Sequence, residues 1–530
     1  MKNNPFKIYI SLLILILLLL MTILYLLEDK SDFNDINLET SDIFKDYNIS
    51  FTGDLIANSN SNFWNKTGEN IQKAIDDLGE GGGGVVFLPS GVYNLSSDNN
   101  VQGIEIKSNT QLMGCGESTV LNLVNGKGAS ADVIRIHGDN NVICDLNIDG
   151  NKDKLIPRYD YWHGVRIENG CSNIRVKDCH IYDTQHSCIR VSDNCTDILV
   201  EDCILERCNH SHFPSGVSIG GSSVIVKNCI IRDTYACGIV FESQSTEYPC
   251  FDCVADGNII YGNITRGIHC EPNGYANNIT VINNHIFNLT GVCYKNIRHG
   301  VYVPVDDVAV MGNRIENIKD YSVYNYGCKR SSKITNNTIK NCKVGIDQNG
   351  NNGVISDNII FDCSDEAIVV YSFNVSISGN IITNSGGNGV FIHPKKHIGN
   401  ISNIVISQNV ILNTGSNGIS ASGDYITISD NIINEFYYRG IRLYKVRNSA
   451  ISGNSISDEL FGVGWSTGIT VENCSDLTIY GNVFDENTTY DITCDKTSYT
   501  CVISDNVLSK EAEKSINNQG LDIVLRDNIN

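Results

Sequence analysis

Most of the chain repeats one short pattern: a small residue, an apolar residue, a variable residue and a second apolar residue. Gly238-Ile-Val-Phe241 and Gly389-Val-Phe-Ile392 are two examples. Because apolar residues at alternate positions bury one face of an extended chain, each segment predicts a short strand. The shortest spacing is about 22 residues, and longer steps contain insertions. The segments begin at Gly164, Cys188, Gly216, Gly238, Gly267, Gly300, Ser322, Gly345, Ala367, Gly389, Gly418, Gly440 and Gly468.

A second feature recurs inside each unit, where an Asn precedes an apolar residue. In the early units a Cys takes the same place. The positions are Asn258, Asn358, Asn380, Asn409, Asn431, Asn482 and Asn506, preceded by Cys179, Cys203 and Cys229. Asn side chains at equivalent turns can stack as an amide ladder, and buried Cys behaves as a small hydrophobe.

These two ladders predict an all-β fold, the right-handed parallel β-helix. A unit of short strands and tight turns cannot bury a face alone, so successive units must coil on one another at about 4.8 Å. We expect roughly fifteen coils over residues 61–530. A leucine-rich repeat would need a Leu-rich consensus, which is absent, and an antiparallel sandwich would not keep such a regular spacing.

The N-terminal region predicts a membrane anchor. Residues 8–27 carry no charge and match the thickness of a bilayer core. Lys2 and Lys7 precede this stretch and acidic residues dominate after it, so the bulk of the chain should face outside the cell. A cleaved signal peptide is the alternative, but its short apolar core and small-residue cleavage site are missing. The predicted order is cytoplasmic tail (1–7), transmembrane helix (8–27), acidic spacer (28–60) and β-helix domain (61–530), at the cell surface.

Short helices are predicted at both ends of the β-helix. Glu69 to Leu78 reads as an amphipathic helix that would cover the open first coil, and residues 510–516 would do the same at the far end. Without such caps, the terminal coils would present exposed strand edges.

The same N-terminal part of the domain resembles a known superfamily. Ile71-Gln-Lys-Ala-Ile75, the glycine run 81–84 and Val85-Val-Phe-Leu-Pro-Ser-Gly-Val-Tyr93 are similar to the first segment of pectate-lyase-like β-helix proteins. Residues 108–121 and 148–151 extend the resemblance. It implies a right-handed parallel β-helix and substrates that are commonly extracellular polysaccharides. The motifs of the polygalacturonase branch and the Asp-Pro-His type motif of the alginate epimerase and lyase branch are missing, so no branch is identified.

Charge and strand alternation narrow the function. With 39 Lys+Arg against 60 Asp+Glu, the net charge of −21 argues against a nucleic-acid partner. The two residues that flank the second apolar position of each segment point outward, so they should form two columns on one face. Polar and aromatic side chains concentrate in that face between His163 and Tyr326. Candidate catalytic residues are Glu242, His269, Glu271, His299 and Tyr302, and candidate substrate-binding residues are Arg166, Arg190, Arg266, Tyr324 and Tyr326.

Three functions fit this face. In a glycoside hydrolase, Glu242 and Glu271 on successive coils would act as a carboxylate pair. In a polysaccharide lyase, Arg166, Arg266 or a bound Ca²⁺ would neutralise a uronate carboxylate, while His269, His299 or Tyr302 removes the neighbouring proton. The third alternative is a surface module of the adhesin type without catalysis. The prediction is a cell-surface protein that binds an acidic polysaccharide, with cleavage left open.

Overall fold

The structure is a computed structural model, and it describes residues 68–96, 103–124, 132–154, 162–208, 213–243, 245–271, 275–291, 297–394, 401–458, 466–485 and 489–529. The predicted cytoplasmic tail, transmembrane helix and spacer lie outside these residues, as does the start of the predicted β-helix domain. Within the described ranges, every helix is too short or too polar to cross a lipid bilayer.

The described chain is a right-handed parallel β-solenoid of about 15 turns. Each turn contributes strands to three parallel sheets, which we name sheets A, B and C. Each strand pairs in parallel with its equivalent one turn later, so residues more than 20 positions apart in sequence become neighbours. The predicted all-β fold is confirmed.

Sheet A carries the repeated segments. Its strands are Ile104–Ile106, Ile134–Ile136, Val165–Ile167, Ile189–Val191, Ser215–Ile219, Tyr235–Phe241, Ile264–Cys270, His299–Tyr302, Ile368–Val370, Val390–Ile392, Thr467–Glu472, Tyr490–Cys494 and Ile516–Asn518. Four longer strands bend from one sheet into another. Arg314–Asn325 and Thr338–Gln348 run from sheet C into sheet A, and Asn417–Ser429 and Arg439–Ser452 run from sheet A into sheet B.

The other two sheets complete each turn. The strands of sheet B are Gly84–Phe87, Thr110–Met113, Asn141–Cys144, Ser172–Lys177, Thr196–Glu201, Ser222–Lys227, Cys250–Asp256, Ala276–Ile282, Asp306–Met311, Ser332–Thr335, Gly353–Ser356, Val375–Ser378, Ser402–Ser407, Ser475–Tyr480, Val502–Ser504 and Val524–Arg526. The strands of sheet C are Gly91–Ser96, Thr119–Val124, Asn147–Asp149, His180–Tyr182, Ile204–Glu206, Ile230–Arg232, Ile259–Gly262, His285–Leu289, Ile359–Cys363, Ile381–Ser385, Val410–Thr414, Ile432–Phe436, Ser455–Ser457 and Val483–Phe484.

The core consists of aliphatic rows that run along the solenoid. Ile239, Ile268 and Val301 pair in register on successive strands of sheet A, and all three are fully buried. Burial of one such side chain stabilises the fold by about 1.5–3 kcal/mol. The outward residues between these rows are therefore held at fixed spacing.

The predicted amide ladder is confirmed and is longer than expected. Each buried Asn donates from Nδ2 to Oδ1 of the next, for example from Asn380 to Asn409 at 2.9 Å. The Asn ladder comprises Asn258, Asn284, Asn313, Asn337, Asn358, Asn380, Asn409, Asn431, Asn454, Asn482, Asn506 and Asn528. It begins where the buried Cys row ends, since the backbone N–H of Cys229 donates to Asn258.

Only one of the two predicted caps is present. Helix α1 (Gly68–Glu80) buries Ile71 and Ile75 over the first coil, and the side chain of Gln72 bonds to both backbone groups of Glu105. Helix α2 (Ala512–Ser515) is a single turn, and the chain adds strands after it. The prediction of a C-terminal cap was wrong because the last row, Val524–Arg526, lies exposed beyond α2. Two short 3₁₀ helices, Gly116–Ser118 and Lys152–Lys154, complete the helical elements of the described part.

Candidate functional site

The register of sheet A places the predicted outward residues in one column. Arg166 pairs with Arg190, Arg190 with Ser218, and the pairing continues through Val240 and His269. Tyr302 and Tyr324 follow on the next two coils. The spacing of the repeats was sufficient to predict this alignment, because each strand pairs with the equivalent strand one turn later.

A pocket of about 430 Å³ occupies the N-terminal part of this face. Glu242 connects the polar side chains of the pocket: it accepts a hydrogen bond from Arg190 at 2.7 Å and one from the Ser218 hydroxyl at 2.6 Å. Arg190 also donates to Ser218 and lies 3.8 Å from Asp193. The residues that line the pocket include His163, Arg166, His186, Arg190, Asp193, Phe213, Ser218 and Glu242.

Two histidines, His163 and His186, form one side of this pocket. Their rings meet edge to face, with centroids 4.9 Å apart. Burial lowers the pKa of His163 well below its ordinary value, and the nearby His186, Arg190 and Arg166 lower it further. Nδ1 of His163 has no hydrogen-bond partner among the described residues. The pocket therefore presents a neutral imidazole beside two guanidinium groups.

A second cluster lies two coils further along the column. Nε2 of His269 is 3.0 Å from Arg266 Nη1 and 3.0 Å from Glu271 Oε2. That nitrogen can accept from Arg266 or donate to Glu271, depending on the tautomer. Burial lowers the pKa of His269 to about 4, although the hydrogen bond with Glu271 opposes the shift. His269 is therefore neutral at physiological pH.

Stacked rings continue this cluster toward the C-terminus. The His269 and Tyr302 rings stack at 4.9 Å, and the His299 ring stacks with Tyr302 at 5.0 Å and with Tyr324 at 5.2 Å. Burial lowers the pKa of His299 to about 3 and raises the pKa of both tyrosines. Tyr326, 5.8 Å from Tyr324, is 51% exposed. We call this set the aromatic ladder.

The structure divides the sequence-predicted residues between two neighbouring places. Arg166, Arg190 and Glu242 belong to the pocket, and the other seven belong to the second cluster and the aromatic ladder.

Two of the predicted catalytic residues lie below the surface. His269 is 2% exposed and His299 is 5% exposed. Groups this deeply buried would position the residues above them, and direct contact with a substrate would require those residues to move. Their predicted catalytic role stays a prediction.

The predicted carboxylate pair has separate partners. Glu242 and Glu271 occupy equivalent positions on adjacent coils, where the backbone N–H of Glu271 donates to the carbonyl of Phe241. The Glu242 side chain binds Arg190 and Ser218, whereas Glu271 binds His269. Nothing in these contacts favours one carboxylate as an acid and the other as a base.

Sequence reasoning overlooked several pocket residues, among them His186 and Asp193. His186 lies two positions before the small residue Cys188, and Asp193 lies two positions after Val191. The sequence prediction considered only positions within or directly beside each repeated segment, so it missed His186 and Asp193. The loop before Cys188 folds back so that the His186 N–H donates to the carbonyl of Trp162. A concentration of His in this region was the available signal.

Buried polar atoms without a hydrogen-bond partner follow the same face. On this face they include Trp162 Nε1, His163 Nδ1, Arg266 Nε, His269 Nδ1 and both ring nitrogens of His299, and further buried atoms without a hydrogen-bond partner lie elsewhere, such as Arg175 Nε on sheet B and His285 Nε2 on sheet C. Each counts as unpaired within the part of the chain that the structure describes. Native proteins rarely leave buried polar groups unpaired, so such a row points to a polar ligand or bound water.

Ca²⁺ was one alternative for a lyase. The described ranges contain no group of three or more His, Cys, Asp or Glu side chains that could hold a metal ion.

Comparison with protein families supports the observed fold. Residues 292–421 and 396–529 match the family described as "Right handed beta helix region". The match and the observed geometry agree on a right-handed β-helix as the fold, which the resemblance of the N-terminal segments predicted, and they specify no branch.

Sequence relatives include proteins named mannuronan C5-epimerase and alginate lyase. The mannuronan C5-epimerase AlgE1 of Azotobacter vinelandii is 36% identical over 100 residues, which are 17% of this chain and 7% of the epimerase. Alginate lyase 7 of the same organism is 34% identical over 126 residues, 21% of this chain and 14% of the lyase. The uncharacterized protein YclG of Bacillus subtilis is 24% identical over 480 residues, 83% of this chain and 80% of YclG. The chain thus spans only a small fraction of the named enzymes.

Solved structures resemble the chain at low identity. An exopolygalacturonase from Thermotoga maritima has a TM-score of 0.40 and 12% identity, covering 68% of this chain and 85% of that one. The tailspike protein of E. coli bacteriophage HK620, in complex with a pentasaccharide, has a TM-score of 0.39 and 14% identity, covering 86% and 74%.

Proposed function

We propose that the face of sheet A between Trp162 and Tyr326, which we call the groove, binds an acidic polysaccharide. The observation that carries this proposal is the row of buried, unpaired polar atoms that follows the column of guanidinium groups and aromatic rings. A saccharide offers an apolar ring face to Tyr302, Tyr324 and Tyr326, and water held beneath it would connect its hydroxyl groups to such buried atoms.

The acidic character of the ligand follows from the arginines. Arg166 and Arg190 lie on adjacent coils, about 4.8 Å apart along the column, and Arg266 lies three coils beyond Arg190. A ligand carboxylate would have to share or displace the carboxylates that now contact these groups, Glu168 at 3.3 Å from Arg166 and Glu242 at 2.7 Å from Arg190, and would gain two parallel hydrogen bonds from a guanidinium. The relatives named mannuronan epimerase and alginate lyase support a uronate-containing chain as the ligand.

The geometry favours elimination over hydrolysis. A uronate sugar in the pocket would place its carboxylate on Arg166 or Arg190, beside the neutral Nδ1 of His163. His163 is 4% exposed, so a shift of the groups that cover it would first expose its ring; it would then take the proton next to the carboxylate, a carbon–carbon double bond would form, and the glycosidic oxygen would leave and take a proton from water. Hydrolysis would need a carboxylate pair, and Glu242 and Glu271 have separate partners.

The test is an assay of the purified full-length chain with uronate-rich polysaccharides, with and without Ca²⁺. A lyase gives an unsaturated product that absorbs ultraviolet light, and a hydrolase gives only new reducing ends. We expect Arg190→Gln to weaken binding and His163→Gln to abolish product while binding persists. The control is His285→Gln, because His285 lies on sheet C away from the groove.

Three outcomes separate the alternatives. An unsaturated product lost in His163→Gln supports elimination at the pocket. Binding without any product, in wild type and variants alike, would make the protein a glycan-binding module. Failure to bind any uronate polymer would overturn the proposal and favour the non-catalytic surface module.

We further propose that the chain acts at the cell surface, tethered by residues 8–27. The support is the uncharged apolar sequence and its basic N-terminal flank. Protease treatment of intact cells should degrade the β-helix domain, and deletion of residues 1–27 should release the protein from the membrane fraction. Protection from external protease would contradict this placement.

A further inference from the structure

A second cavity lies on sheet A near its C-terminal end. Its volume is about 410 Å³, and it is lined mainly by Thr467, Thr470, Tyr490, Thr493, Asn517 and Gln519, together with two acids. Thr470 and Thr493 belong to the same outward column as the groove, six and seven coils beyond Tyr324. At about 4.8 Å per coil, Thr470 is roughly 29 Å from Tyr324 along one face.

The two acids of this cavity are already engaged by neighbouring groups. Arg442 donates to Glu472 at 2.6 Å and 3.1 Å, and Arg439 adds a contact at 3.4 Å. Asp495 accepts hydrogen bonds from the side chains of Thr497 and Ser498, both at 2.6 Å. The carboxylates are therefore not the groups that a ligand would meet first.

The remaining lining is uncharged and rich in hydrogen-bonding groups. Thr493 and Thr470 are linked through their hydroxyls at 3.3 Å, which leaves further donor and acceptor capacity on both. Asn517 and Gln519 add two amides, and the half-buried Tyr490 adds a ring. The guanidinium groups that line the groove are replaced here by hydroxyls and amides.

We propose that this cavity is a second saccharide-binding site, one that takes uncharged sugars. Neutral sugars suit it because they carry many hydroxyls and no charge, which matches the Thr, Asn and Gln side chains. Arg439 and Arg442 neutralise Glu472, and Asp495, although charged, already accepts hydrogen bonds from two hydroxyls. The inference deepens the proposed function: a polysaccharide with acidic and neutral stretches would be held at two places on one face.

The path between the two sites carries aromatic groups. The Phe391 and His393 rings stack at 5.2 Å on sheet A, and the Arg442 guanidinium lies 5.1 Å from the centre of the Tyr444 ring. One glycan chain could therefore contact sheet A along the whole interval. Holding a chain at both sites raises its apparent affinity above that of either site alone.

The experiment measures binding of cellohexaose and maltohexaose, two neutral oligosaccharides, to the full-length chain by calorimetry. Thr493→Val keeps the side-chain shape and removes one hydroxyl, so we expect about fivefold weaker binding, the effect of one hydrogen bond. The matched control is Thr478→Val, an exposed threonine on sheet B, which should bind as wild type does. Thermal melting confirms that both variants are folded.

Failure of this site and failure of the groove are distinguishable. Arg190→Gln should weaken binding of uronate oligosaccharides and leave binding of the neutral probes unchanged, because Arg190 is far from Thr493. If neither neutral probe binds to wild type, or if Thr493→Val and Thr478→Val bind equally well, the proposed neutral-sugar site is wrong. Neither result would affect uronate binding at the groove.

Discussion

Burial determines the protonation of the histidines on the face of sheet A. His269 and His299 lie under Arg266 and the tyrosine rings, where a charged imidazolium would lose its hydration. Their pKa values fall to about 4 and about 3. The same neutrality that leaves an imidazole able to accept a proton therefore has a cost in stability when the pH falls.

His299→Phe should reduce the loss of stability in acid. The unfolded chain binds a proton at His299 below its ordinary pKa of about 6.5, whereas the folded chain binds it only near pH 3. The contribution of His299 is complete above pH 6.5 and is lost progressively as the pH falls toward 3. Between pH 7.5 and 5, the variant should lose about 2 kcal/mol less unfolding free energy than wild type.

Urea unfolding at the two pH values measures this difference. Tyr324→Phe is the control, because it keeps the ring that stacks on His299 at 5.2 Å and removes no histidine, so its loss of stability in acid should equal that of wild type. Equal acid sensitivity in wild type and His299→Phe would mean that His299 is not buried as described.

The extent to which the site could be predicted also differs from residue to residue. The column Arg166, Arg190, His269, Tyr302 and Tyr324 follows from repeat spacing alone, because parallel pairing fixes the register. The choice of partner does not follow, because side-chain direction depends on neighbours that the repeat does not specify. Glu242 turns to Arg190 and Glu271 turns to His269 for that reason.

At the scale of the elements, the solenoid depends on two recurring positions, the ladder Asn and the small residue that begins each segment of sheet A. The buried Asn ladder satisfies backbone carbonyls at one turn of each coil, and the small residue at the start of each sheet A segment allows the next coil to approach. Both positions were visible as sequence repeats. The Asn ladder continues to Asn528, but no repeat marks a C-terminal cap, and the predicted cap was wrong because a helical pattern of seven residues forms only a single turn.

Asn380→Ala should destabilise the solenoid by about 2–4 kcal/mol. The Asn380 amide donates to Asn409 and to the carbonyl of Ile355, and it accepts from Asn358, so its loss leaves several buried groups unpaired. Chemical denaturation measures the change. Ser376→Ala, on the outward side of sheet B, should cost less than about 0.5 kcal/mol, and similar costs for both would refute the role of the ladder.

Gly418→Ala should be destabilising by about 1–3 kcal/mol through overpacking. A Cβ at Gly418 would lie 2.3 Å from Ile433 Cγ2 and 2.7 Å from the carbonyl oxygen of Gly440. Gly79→Ala is the control, because its Cβ would meet nothing closer than 3.7 Å and Ala favours the helix. Thermal melting should lower the midpoint only for Gly418→Ala. An unchanged midpoint there would mean that the coils can separate at no cost.

At the scale of the described solenoid, the two ends differ. Helix α1 covers the first coil with buried Ile71 and Ile75, whereas Val524, Leu525 and Ile529 of the last row are 40%, 47% and 62% exposed. In a repeat fold each coil contacts only its neighbours, so stability is local. We therefore expect opening to begin at the C-terminal coils.

The difference between the two ends predicts that two similar core substitutions affect different regions of the solenoid. Ile268 and Ile503 are both fully buried, so each change to Ala should cost about 2–5 kcal/mol. Ile503→Ala should speed amide hydrogen exchange in residues 489–529 and leave binding of uronate at the groove unchanged. Ile268→Ala should speed exchange around His269 and weaken that binding, because Ile268 supports the strand that carries both Arg266 and His269. Hydrogen exchange followed by mass spectrometry separates the two patterns. Exchange that rises equally along the whole chain in both variants would mean that the solenoid opens as one unit, and the local coupling of groove and core would then be excluded.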